Sequence, residues 1–150
     1  MAEPTFLARL EPDRLQPERE LASLSGTGGE GAIVSFVGTV RDEGGAVERL
    51  VLDHHPVLTQ QSLEAIAREA LSRFNVSRVH IVHRCGTVGP GEPIVFAAAA
   101  SGHRRTAFEA VDYLMDRLKT DAIFWKREEG ASGSQWIEPS DADYADRERW

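Results

Sequence analysis

The sequence predicts an α+β fold with a mainly antiparallel sheet, and three observations carry that prediction. Short apolar and β-branched runs are bounded by glycine and proline turns, and only two long segments space their apolar residues by three and four. Strands also follow strands, without the regular strand–helix alternation of a parallel sheet. The predicted order is β-α-β-β-α-β-β-α-β-β. Residues 1–150 are read as one domain, because a chain of ~150 residues is near the usual domain size and buries roughly two thirds of its unfolded surface.

Residues 5–10 (TFLARL) read as a first strand, and 17–24 as a short helix with Pro17 in its first turn, where a missing N–H costs nothing. Residues 25–31 (SGTGGEG) form a glycine-rich turn. Its spelling Gly26-x-Gly28-x-x-Gly31 matches the dinucleotide fingerprint only formally, since that motif follows a strand and opens a helix, whereas this one leads into a strand over 32–40. Residues 41–46 (RDEGGA) break the chain, Gly44-Gly45 marks a mobile loop, and 47–54 is the next strand. A helix opens at Leu58-Thr59 with Thr59 as N-cap and ends near Asn75, on a stripe of Leu63, Ile66, Ala67, Ala70, Leu71 and Phe74. Strands 76–84 and 93–100 pair antiparallel through the turn 86–92. Ser101 caps a long helix that runs to about Lys119, striped by Ala107, Ala110, Val111, Leu114, Met115 and Leu118. Residues 122–128 and 134–138 form a final hairpin, and the tail 141–150 is either a short helix or frayed.

Charge narrows the function. The chain carries 17 basic and 24 acidic side chains, a formal charge of −7, which argues against nucleic acid or an anionic membrane as main partner. No apolar run approaches the ~18 residues of a membrane span, and charges interrupt the N-terminal MAEPTFLARLEPDRL, so a cytoplasmic protein is expected. Cys85 has no internal partner for a disulfide and reads as a buried small hydrophobe. His80 and His83 are three apart in a strand and point to opposite faces, His54 and His55 likewise, and a lone cysteine completes no zinc pattern. No metal and no cofactor are expected.

Two basic constellations remain. Ser101-Gly102-His103-Arg104-Arg105 puts three basic side chains at a helix start, where the dipole disfavours cations by roughly 0.3–1 kcal/mol each. An anion held there by His103, Arg104 and the free N–H groups would reverse that sign, and side chains turned to solvent or to acidic neighbours are the other reading. The second constellation is the pair Lys119 and Lys126, the only lysines beside 15 arginines. Lys119 at a helix C-terminus has an ordinary electrostatic use. Lys126 interrupts the apolar run Ile123-Phe124-Trp125 and shares a strand face with Phe124 and Glu128, so it reads either as a reactive amine or as a surface lysine whose stem covers apolar neighbours. A helix over 101–119 is roughly 27 Å long, so His103 and Lys119 of one chain cannot touch one small ligand. A site using both needs two chains, which predicts a homodimer. Arg41, at the end of the strand 32–40, is a third basic element at a position where binding residues are common.

The segments FVGTVRD (36–42), VHRCGTVGPGE (82–92), SGHRRTAFEAVDYLMDRLKT (101–120) and FWKRE (124–128), in this order, resemble the catalytic large subunit of molybdopterin synthase over roughly residues 30–138. The chain departs from that pattern at Asp53-His54-His55-Pro56, Gly102 and Thr39. The resemblance implies an α/β hammerhead-like fold and a sulfurtransferase of molybdenum cofactor biosynthesis that builds the dithiolene of molybdopterin on cyclic pyranopterin monophosphate. Sulfur would arrive as the C-terminal thiocarboxylate of a small ubiquitin-like carrier subunit ending Gly-Gly, on a heterotetramer with a homodimer core. Site positions carried over are Lys119 and Lys126 as catalytic, and Thr39, Val40, Arg41, His103, Arg104, Arg127 and Glu128 as substrate-binding. A non-catalytic dimeric module that binds a phosphorylated metabolite in the same basic pocket is the alternative.

Overall fold

The computed structural model describes residues 3–150. In chain order its elements are β1 (Thr5–Glu11), α1 (Pro17–Leu24), β2 (Ala32–Thr39), β3 (Arg49–His54), α2 (Leu58–Arg73), β4 (Arg78–Arg84), β5 (Gly86–Val88), β6 (Pro93–Ser101), α3 (Arg104–Thr120), β7 (Phe124–Gly130), β8 (Gly133–Ile137) and α4 (Asp141–Arg147). The strands form two four-stranded sheets, β1-β4-β6-β2 and β5-β3-β7-β8. All pairings are antiparallel except β1 with β4. The α+β expectation holds, with α2 and α3 as the two long helices.

Side-chain alternation assigns the two faces of the first sheet. Val79 and Ile81 of β4 and Val95, Ala97 and Ala99 of β6 pack under the stripes of α2 (Leu63, Ile66, Ala67) and α3 (Ala110, Val111, Leu114). Burying each of the larger of these side chains contributes roughly 1.5–3 kcal/mol. On the opposite face Val82, Phe96 and Ala98 meet Leu24 of α1 and Leu15 before it. His80 and His83 obey the same parity. His80 hydrogen-bonds Glu20 of α1 at 2.7 Å, while His83 stacks on Phe124 of β7.

Three sequence expectations change. Thr59 is not the N-cap of α2; Val57 holds that position, and Thr59 is buried within the first turn. Its hydroxyl accepts from the His55 N–H at 2.8 Å and donates to the Ile123 carbonyl at 2.6 Å, so it ties α2 to the chain entering β7. Ser101 ends β6, and the N-cap of α3 is His103. The Ser101 hydroxyl still serves the helix start, accepting from the His103 N–H at 3.3 Å while donating to the Asn75 carbonyl at 3.0 Å. Finally, 86–92 is not a plain turn. Gly86 adopts φ +89°, which lets the chain leave β4, and Gly86–Val88 crosses to pair with β3 of the second sheet, where Val88 is fully buried. The tail is a short helix with a capping box: the Asp143 N–H donates to the Ser140 hydroxyl and the Ser140 N–H to the Asp143 carboxylate.

Candidate active site

A cleft of about 470 Å³ opens where the two sheets and the C-terminal end of α3 meet. That volume suits a small organic ligand. Its walls are apolar: Val95 of β6, Met115 and Leu118 of α3, Leu50 of β3 and Ile137 of β8. Charged groups enter from three directions, namely Arg41 and Glu43 after β2, Lys119 at the end of α3, and Lys126 with Glu128 on β7.

Each cation is delivered by local structure. Strand parity turns Phe124, Lys126 and Glu128 to one side of β7, and Lys126 is half-buried there. Lys119 is exposed in the last turn of α3. Val40 donates to the Glu92 carbonyl at 3.0 Å and accepts from the Gly91 N–H at 2.8 Å, which fixes the end of β2 and so aims Arg41. Beyond it, Glu43, Gly44 and Gly45 have φ of 50°, 69° and 92°, and the Gly45 and Val47 N–H groups return to the Asp42 carbonyl. Arg41 makes one exposed ion pair, with Glu43 at 3.5 Å.

The electrostatics single out Lys126. Burial first, and then the positive charge of Lys119, bring its ammonium down to about 8, against a smaller opposing pull from Asp143. Asp143 of α4 sits below the ordinary carboxylate range: burial works against this, and the Ser140 hydrogen bonds with the two lysine charges outweigh it. A lysine near 8 has roughly one tenth of its amines free at neutral pH, against fewer than about one in a thousand for an ordinary lysine.

Of the positions singled out in the sequence, the cleft gathers Thr39, Val40, Arg41, Lys119, Lys126 and Glu128. His103 and Arg104 line a separate hollow with Arg105, Phe108 and Glu109 at the start of α3. The rise from His103 to Lys119 is about 24 Å. No acidic residue occupies the first turn of α3 and no side chain caps it. Arg127 projects from the other face of β7, paired to Asp53 at 2.8 Å and Glu129 at 3.0 Å and lying over the Trp136 ring. Sequence reasoning did not find His83, which is buried and lines the cleft from β4. The available signal was strand parity, which puts His83 on the same face as the core residues Val79 and Ile81. Among the described residues no group of three or more His, Cys, Asp or Glu side chains is placed to hold a metal ion, and no helix is long and apolar enough to cross a membrane.

Known proteins share both the sequence and this architecture. The molybdopterin synthase catalytic subunit of Caulobacter vibrioides is 51% identical over 120 residues, 80% of each chain. That of Pseudomonas aeruginosa is 44% identical over 145 residues, 95% of this chain and 97% of the relative. Among solved structures, the molybdopterin cofactor biosynthesis protein E of Burkholderia multivorans superposes with a TM-score of 0.81 at 38% identity, over 99% of this chain and 97% of that one. Molybdopterin synthase from Staphylococcus aureus gives 0.77 at 27% identity, over 85% and 94%. The family model for MoaE protein matches residues 10–121, a stretch that holds the Thr39–Arg41 corner, both ends of α3 and Lys119, and by this match the chain belongs to the MoaE family.

Proposed function

We propose that the chain is the catalytic subunit of a molybdopterin synthase, a sulfurtransferase that moves sulfur from the C-terminal thiocarboxylate of a small ubiquitin-like carrier to cyclic pyranopterin monophosphate. The observation that carries this reading is that the chain's only two lysines, from α3 and β7, enter one apolar-walled cleft. Sulfur transfer of this kind has two needs. The thiocarboxylate sulfur bonds to a substrate carbon as an oxygen leaves, and that oxygen takes a proton; an ammonium at the cleft supplies it. The carrier's acyl group must then leave sulfur, either to water or to a free amine, and a lysine near 8 offers both a proton and a nucleophile. Either lysine can fill either role.

The substrate's cyclic phosphate is an anion, which accounts for cations collected at one place in a chain of charge −7. Arg41, Lys119 and Lys126 serve one cleft, with Thr39, Val40 and Glu128 beside them. His103 and Arg104, some 24 Å along the helix, complete the site only from a second copy of the chain. This supports a homodimer at the centre of a heterotetramer, with a carrier at each cleft.

The test is direct conversion. The purified chain, incubated with precursor and a thiocarboxylated carrier ending Gly-Gly, should form molybdopterin, and Lys119→Ala should abolish it with the unfolding temperature retained. Full activity of Lys119→Ala, or precursor binding without turnover by the unaltered chain, overturns the reading. The second outcome would favour a binding module for a phosphorylated metabolite.

A further inference from the structure

His83 is only 3% exposed and yet lines the cleft. Its Nδ1 lies 2.8 Å from the Arg84 carbonyl oxygen. A carbonyl only accepts, so this partner assigns the ring proton to Nδ1 and leaves Nε2 as a lone-pair acceptor. Phe124 stacks on the ring, with 4.1 Å between centroids and 26° between planes, and so fixes its orientation.

No described residue donates to Nε2. Among the described residues the one sealed side-chain polar atom without a partner is Nη1 of Arg84, so the unpartnered Nε2 is not sealed. His83 lines the cleft, so the cleft is the space its ring can face. Burial first, and then the charge of Lys126, hold the imidazole down to about 3; Lys119 adds to this and the Arg84 carbonyl opposes it. The ring is therefore neutral near pH 7, and with its proton on Nδ1 it presents Nε2 as an acceptor.

The surroundings indicate what it accepts from. Lys119, Lys126 and Arg41 line the same cleft and none of them bonds the ring, so Nε2 is left available to a donor that a ligand brings. Val95 and Leu118 give apolar walls suited to a flat ring, and the cations draw an anionic end. We propose that His83 is a specificity-determining contact of the cleft, its Nε2 accepting a hydrogen bond from a ring N–H of a planar heterocyclic substrate. The assignment rests on the synthase reading and narrows it to one polar contact of the precursor. A site built around a lone acceptor discriminates strongly, because a ligand without the donor leaves that acceptor desolvated and unpaired.

Two substitutions separate hydrogen bonding from packing. His83→Phe keeps a ring against Phe124 and removes the acceptor; His83→Gln returns an acceptor near the Nε2 position. Unfolding temperature, precursor affinity by calorimetry, and KM with kcat in the presence of thiocarboxylated carrier are measured for both. His83→Phe should weaken precursor binding about tenfold to a hundredfold and raise KM with kcat nearly unchanged, and His83→Gln should recover most of the loss. Unchanged affinity in a folded His83→Phe chain overturns the assignment, as does an equal loss in both variants. The unaltered chain gives an independent measurement: precursors methylated at one ring nitrogen at a time should include one that binds at least about tenfold more weakly. Equal binding of all of them overturns the assignment too. If the unaltered chain fails to convert precursor, the synthase reading falls; if it converts precursor and His83→Phe matches it throughout, only the His83 assignment falls.

Discussion

Lys119, exposed at the end of α3, and Lys126, half-buried on β7, enter the same cleft, and the charge of the first helps to lower the proton affinity of the second. Burial is the larger cause, so the depression belongs to the fold and is sharpened by the neighbour. Lys119→Gln removes the like charge and should move the Lys126 midpoint upward from about 8, though not to the ordinary value. Titration of the Lys126 side chain by NMR, or the pH profile of its acylation rate, reads this shift. An unchanged midpoint would mean that the two amines are too far apart to act together.

The same depression makes Lys126 a cost to stability. In the unfolded chain it binds its proton up to about 10.5, and in the folded chain only up to about 8. Between those values the unfolded state holds more protons, so stability rises with pH across that window, and below about 8 the full penalty remains. Lys126→Met should stabilise the fold at pH 7 by about 1–3 kcal/mol and flatten the rise of stability above pH 8. Chemical denaturation at several pH values checks both. A destabilised Lys126→Met chain would show that the ammonium has compensating partners.

Gly130 and Gly102 make opposite predictions. A Cβ on Gly130 would lie 2.0 Å from the Ala46 carbonyl oxygen, backbone against backbone, where the end of β7 meets the loop behind Arg41. Gly130→Ala should cost at least about 2 kcal/mol and disturb that loop. At Gly102, before α3, an added Cβ meets nothing within 4 Å. Gly102→Ala should be neutral within about 0.5 kcal/mol, as thermal unfolding will show.

Trp150 fastens the end of the chain to the body. Its ring meets Phe74 and Tyr113 edge-on, with centroids at 5.8 and 5.5 Å, and its Nε1–H donates to Asp116 at 2.6 Å. Asp116 is a buried acid on α3 whose other partner is Arg149. Trp150→Ala should lower stability by about 1–3 kcal/mol, part of it from the weakened satisfaction of Asp116. A lower unfolding temperature would confirm the anchor; an unchanged unfolding temperature would refute it.

What could be read in the sequence follows the range of each interaction. The stripes of α2 and α3 and the shared face of Phe124 and Lys126 are periodic signals, and the structure keeps them. Thr59 looks like an N-cap by type, but its partner Ile123 lies 64 residues away and no local spelling encodes that bond. The crossing at Gly86 was equally hidden, because a three-residue strand is too short for a period and its partner β3 is far away in sequence. Lys126 and Arg127 are adjacent, so parity separates them; the family resemblance placed both in the site, whereas here Arg127 pairs with Asp53 on the other face. Parity also put His83 on the core face, but the space beside it exists only once the second sheet closes over it.

The separation of His103 and Arg104 from the lysine cleft carries the last prediction. Suppose each site takes Lys119 from one subunit and Arg104 from the other. A dimer of Lys119→Ala chains then has no working site, and a dimer of Arg104→Ala chains binds precursor weakly. A mixed dimer has one site with both mutations and one with neither. Random pairing of equal amounts makes half the dimers mixed, so activity at low precursor concentration should recover to about a quarter of the unaltered enzyme. If each site were built within one chain, mixing would give only the average of the two parents. Exchange of the differently tagged variants, isolation of the mixed dimer and assay with thiocarboxylated carrier distinguish the two, and activity of the isolated mixed dimer at about half that of the unaltered enzyme, above either parent, supports a site shared between chains.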